Sequence, residues 1–124
     1  MKFHLTRESV CAGDDVDAPH RATLSVPDDF TLEDIARVIW QARHLPKIQG
    51  GRATWSVASS VPIAVIAEQW QEPKTVTSLD FVKDCLDISD GAIHVHVNYH
   101  AQLDPDIVWE VLRGLRLQTI NADD

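Results

Sequence analysis

The stretch AIHVHVNYHA, residues 92–101, alternates two chemistries with a period of two. As a β-strand it places Ile93, Val95, Val97 and Tyr99 on one face and His94, His96, Asn98 and His100 on the other. Three of the six histidines in the chain therefore share one face of one strand. The apolar face asks for a core on one side of a sheet. The polar face is either a chemical site or a wet sheet surface.

Working outward, the same alternation recurs upstream. Lys2 to Glu8 sets Phe3 and Leu5 against Lys2, His4 and Thr6, and Arg21 to Val26 sets Ala22, Leu24 and Val26 inward, so the two read as half-buried strands in a hairpin. Between them Cys11 to Pro19, with Gly13, Asp14, Asp15 and Asp17, has loop composition; its aspartate spacing is not that of a calcium loop. Thr31 with Asp34 three residues on forms an approximate capping box, and Phe30 with Ile35 a hydrophobic staple. The helix so opened carries Leu32, Ile35, Ala36, Ile39 and the stem of Arg43 on one side, and is expected to run to about His44, before Pro46.

Ala53 to Ser60 and Val61 to Trp70 read as the next strand pair, turned by Ser59, Ser60 and Pro62. The second, VPIAVIA, is apolar at nearly every position, as expected of a strand covered on both faces. Thr77 with Asp80 at its third position predicts a second helix, with Leu79, Val82, Cys85 and Leu86 inward and Asp80, Asp84 and Asp87 as one acidic stripe outward. Like charges at that spacing destabilise a helix by roughly 0.2–0.5 kcal/mol per pair. Such a stripe is a solvated face or a docking surface for a cation-rich partner. Ser89-Asp90-Gly91 then turns the chain into the histidine strand. Leu103-Asp104-Pro105-Asp106 starts a last helix: Asp104 caps, Pro105 takes the first helical position, and Leu103 staples to Val108. Val108, Val111, Leu112 and Leu115 are its expected inward stripe, with Trp109 to the side. The order β-β-α-β-β-α-β-α predicts a single α+β domain over residues 1–124, with a mainly antiparallel sheet of about five strands and three helices.

Composition bounds the function. With 124 residues, 44% apolar and 24% charged, the chain has the make-up of one globular domain. Its net charge of −8 disfavours nucleic acid and anionic membrane and favours a basic protein partner. Nine acidic residues between Glu68 and Glu110 face only Lys74 and Lys83. No apolar run approaches the ~20 residues of a membrane-spanning helix, and MKFHLTRE lacks the apolar core of a secretory signal, so a cytoplasmic location is expected. Cys11 and Cys85 have no C-x-x-C spacing and are expected as free thiols.

For chemistry, His94 and His96 at i and i+2 project the same way, as a zinc-binding pair does. Further ligands must come from elsewhere. His100, four residues from His96, lies roughly 13 Å along an extended strand at ~3.3 Å per residue, and His4 qualifies only if the first strand lies adjacent. On that ligand count no metal and no cofactor is assigned. General acid–base work by His94 or His96, with Asp90 or Asp104 nearest in sequence, would need a pocket and an orienting carboxylate; a small metal- or histidine-dependent enzyme is the alternative reading. Ser59 and Ser60 sit in no nucleophile elbow.

The strand pair TWSVASSVPIAVIAEQW, residues 54–70, and the acidic Asp80 segment give the chain a general character that resembles bacterial immunity proteins of contact-dependent or type VI toxin systems. The resemblance spans the whole chain in size and charge without a diagnostic motif, so no residue role is transferred. It implies a cytoplasmic antitoxin that binds and neutralises a cognate toxin, often a basic nuclease, in bacterial competition, without catalysis of its own. Asp80, Asp84, Asp87, His94, His96, His100 and Trp109 are the expected partner-binding residues. A homo-oligomer remains compatible with the sequence.

Overall fold

The structure, a computed structural model, describes residues 1–8, 21–42, 45, 51–76 and 84–122, with side chains to residue 114. The elements run β1 (Lys2–Arg7), β2 (Arg21–Ser25), α1 (Leu32–Gln41), β3 (Thr54–Ser59), β4 (Val61–Ala67), β5 (Lys74–Thr75), β6 (Ile88–Ser89), β7 (Ala92–Tyr99) and α2 (Pro105–Ala122). They build an α+β fold around one mixed sheet of order β2-β1-β7-β3-β4-β5, with β6 paired to the first part of β7. Every pairing is antiparallel except β1 with β7, which run parallel with Phe3 opposite Ile93 and Thr6 opposite His96.

This corrects the expected five strands and three helices. The two additional strands, β5 and β6, are two residues long, too short to show an alternation in sequence. Two helices are present among the described residues. The expected helix from Thr77 and its residue Asp80 lie outside the described residues, but its end is visible and is not α-helical. Asp84 and Cys85 sit in a 3-10 turn. Asp87 has already joined the sheet, its amide donating to Ser59 Oγ at 2.9 Å and its carbonyl accepting from the His94 amide at 2.8 Å. Pairing with β7 satisfies the backbone groups a helix would have used, so Asp84 and Asp87 share no helical stripe. The loop Cys11–Pro19 and the expected helix end at Arg43–His44 also lie outside the described residues.

Helix α1 starts as its sequence dictates. Asp34 N donates to Thr31 Oγ1 and Thr31 N to Asp34 Oδ2, closing the capping box. Its buried Leu32, Ile35, Ala36 and Ile39 meet Phe3 and Leu5 of β1, Ile93, Val95 and Val97 of β7, and Trp55 and Val57 of β3. Helix α2 covers the opposite face, where Val108 packs with Val65 and Val76, flanked by Trp70, Trp109 and Leu112. Strand β4 lies under both helices, and for that reason VPIAVIA is apolar on both faces. From Ile63 to Ala67 it is fully buried.

Two hairpin turns fix the registers. Between β3 and β4 the chain reverses at Ser60, φ 62°, with an irregularity past Val57 that leaves Ile63 as an extra residue. Between β6 and β7, Asp90 and Gly91 both take positive φ, 54° and 76°. That is the type I′ geometry whose twist matches the strands it joins, and Asp-Gly is a favoured pair for it.

Candidate functional site

The register fixes which residues share the sheet face on the α2 side. Ser56 stands opposite Val65 and Asn98, Ala58 opposite His96, His96 beside Thr6, and His94 beside His4. Lys2, His4, Thr6, His94, His96, Asn98 and His100 therefore line one face. Among the described residues no helix packs on its β2-β1-β7 half: α2 lies mainly on β4, with a smaller contact to β3 and the Trp109 bond to β5. Asp87, opposite His94 across the β6–β7 turn, belongs to the same face.

Each histidine on this face is tethered to a hydroxyl group. His4 Nδ1 lies 3.2 Å from Thr23 Oγ1, His94 Nε2 2.9 Å from Ser89 Oγ, His96 Nδ1 2.7 Å from Thr6 Oγ1, and His100 Nε2 2.7 Å from Ser56 Oγ. The partners sit on neighbouring strands in all four cases, so the pairs hold the rings in fixed orientations across the sheet. The His4 and His94 rings are themselves in contact, 5.4 Å between centroids. Burial pushes His100 below its ordinary value, and the negative charge of Glu8 partly opposes the shift. Glu8 is fixed nearby by the Tyr99 amide, which donates to its carboxylate.

Helix α2 forms the edge of this face. Asp104 caps it by accepting from the Asp106 amide at 2.9 Å, and Thr54 Oγ1 donates to Leu103 O at 2.7 Å, tying the helix start to β3. Val108 points into the core. At about 100° per residue, Trp109 and Ile107 fall on opposite flanks of Val108. The Trp109 flank is the β5 side: its Nε1 donates to Thr75 O at 2.9 Å, and Lys74 Nζ stands 5.3 Å from one of its rings and 4.8 Å from Trp70. Ile107 and Val111 thus lie on the flank of α2 turned away from β5. They are 62% and 56% exposed, in line with Leu103 at 58%.

Of the expected site residues, the structure brings Asp87, His94, His96 and His100 to one sheet face. Asp84 is exposed just before Asp87. Trp109 is not with them; it is half-buried three strands from β7, and it fastens α2 to β5. Val111, expected inward, is on the surface. Leu103, expected as a staple, leaves most of its side chain in solvent. Ile107, to which the sequence pattern assigned no role, is exposed one turn before Val111 at i, i+4 spacing on α2. Among the tryptophans Trp55 is fully buried, against Tyr99 at 4.7 Å between ring centroids, while Trp40, Trp70 and Trp109 are half-buried. His20 and His44 lie outside the described residues.

Among the described residues no three His, Cys, Asp or Glu side chains gather into a potential metal centre. A shallow cleft on the α1 side, lined by Glu33, Arg37, Trp40, Gln41, Glu72 and Pro73, holds an Arg37–Glu33 ion pair. Cys85 is a half-buried free thiol. No helix among the described residues is long and apolar enough to cross a membrane. Comparison with protein-family models, with curated proteins and with solved structures finds no match to this chain.

Proposed function

We propose that the chain is a binding protein of the immunity type, which neutralises a basic protein toxin by docking it on the sheet face beside α2. What supports this is a pair of unlike surfaces: the hydroxyl-tethered polar face of β1 and β7, and the exposed apolar side chains Leu103, Ile107 and Val111 at and after the start of α2. Exposed apolar side chains rimmed by polar groups are the ordinary composition of a protein interface. Asp104 and Glu110 on the helix, with Asp84, Asp87 and Asp90 across the sheet, are all exposed and supply a rim of one sign. Such a rim speeds the approach of a basic partner and disfavours others. The hydroxyl-tethered imidazoles act as an already ordered set of hydrogen-bonding groups, which lowers the entropy lost on docking.

A toxin encoded next to this chain is the partner to test. Co-expression should relieve its toxicity, and the purified pair should form a one-to-one complex whose association slows as salt rises. Ile107→Lys with Val111→Lys, and separately Asp84→Lys with Asp87→Lys, should abolish relief while the chain stays folded. Toxicity that persists with the wild-type chain, or relief that neither double variant weakens, would remove the reading.

A further inference from the structure

The parallel pairing of β1 with β7 sets His4 directly beside His94, two strands that the sequence separates by most of the chain. We propose that His4 and His94 form a two-imidazole site for a late divalent transition ion, Cu2+ before Zn2+. This is independent of the toxin-binding reading and uses a different property of the same face.

The distance fits. With metal–nitrogen bonds of about 2.0–2.1 Å, two imidazoles sharing one ion have ring centres about 4.5 Å apart at neighbouring positions of tetragonal Cu2+ and about 5 Å apart on a tetrahedral ion; the two centroids lie 5.4 Å apart, so a small ring movement closes the site. The hydrogen bonds fit as well. A metal-bound imidazole donates its remaining N–H to a neighbouring acceptor, which fixes the tautomer and the ring direction. His4 uses Nδ1 toward Thr23 Oγ1 and His94 uses Nε2 toward Ser89 Oγ. One nitrogen of each ring is thereby engaged, and His4 Nε2 and His94 Nδ1 have no hydrogen-bond partner among the described residues. Both hydroxyl oxygens can accept from the distal N–H when the other nitrogen binds a metal. His4 is exposed and His94 half-exposed, so an ion can enter from solvent.

Two protein ligands leave the remaining positions to water. Such a site follows the intrinsic order of divalent affinities for nitrogen ligands, with Cu2+ above Ni2+ and Zn2+, and has no use for Mg2+. Its two ligands join β1 to β7, so the ion also bridges strands distant in sequence.

The test is a Cu2+ titration of the untagged chain at neutral pH against a competing chelator, with amide NMR broadening at sub-stoichiometric Cu2+ as a second readout. A single tight step is expected, with broadening centred on residues 4 and 94. His4→Gln and His94→Gln should each remove the step, Ser89→Ala should weaken it about tenfold, and His100→Gln should leave it unchanged. Far-ultraviolet circular dichroism checks that each variant is folded. If wild type, His4→Gln and His94→Gln bind Cu2+ alike, or if the broadening centres elsewhere, the site does not exist.

Discussion

Ser56 Oγ and His100 Nε2 lie 2.7 Å apart, where the start of β3 meets the chain leaving β7. Burial lowers the His100 pKa from 6.5, and the negative charge of Glu8 pulls the other way. Between its folded value and 6.5 the unfolded chain holds a proton that the folded chain does not, so stability rises with pH across that window. The contribution is complete above 6.5 and is lost as pH falls through the folded value. NMR titration of the His100 ring should show a midpoint below 6.5. Glu8→Gln should lower it further, and His100→Gln should flatten this part of the pH–stability curve. A midpoint above 6.5 in the wild type would contradict the account.

Trp55 carries much of the core. It is fully buried, stacks obliquely on Tyr99, and stands opposite Ile66 in the β3–β4 register. Trp55→Ala should cost about 3–5 kcal/mol, the usual range for emptying an aromatic site. Against a total of roughly 5–15 kcal/mol for a domain this size, urea unfolding should show a much lower midpoint.

Gly91 tests backbone conformation separated from packing. A β-carbon there meets nothing within 4 Å, yet its φ of 76° is a left-handed one. Gly91→Ala should therefore destabilise by about 1–2 kcal/mol through strain alone. Asp90→Gly, at the preceding positive φ, should be nearly neutral or slightly favourable in urea unfolding.

Asp104→Ala removes the carboxylate that accepts the Asp106 amide. A loss of about 1 kcal/mol is expected, typical of an N-cap. Asp104→Ser should recover most of it; equal losses in both variants would point to the charge instead of the cap.

What could be read in advance follows the range of the interaction. The α1 capping box, the Asp104 cap, the Asp90-Gly91 turn and the double-faced apolarity of Ile63 to Ala67 are encoded within a few residues, and each is found in place. The β1–β7 pairing joins residues 90 apart, and nothing near His4 or His94 announces it. Leu79, Val82, Cys85 and Leu86 have helical spacing, but Asp87 takes its partners from His94 across the β6–β7 turn and from Ser59, distant in sequence. On α2 the inward direction is set by Thr54 holding Leu103 and Thr75 holding Trp109. These bonds rotate Val111 outward, and no helical pattern contains them. The histidine face was legible as a face; its hydroxyl tethers required the neighbouring strands.

The β1–β7 parallel pair also sets an order of events during folding. The β1–β2 and β3–β4 hairpins each close over short or moderate separations, but β7 is the strand between them. Until residues 92–97 arrive, β1 has an unpaired edge and the two hairpins have no common sheet. The long closure slows the final step and exposes strand edges while it lasts. On a ribosome, the amino-terminal hairpin waits for nearly the whole described chain before it can join the sheet. A kinetic trap in this protein is therefore expected at the docking of β7, and substitutions on β1 should slow refolding more than equally costly ones in α1.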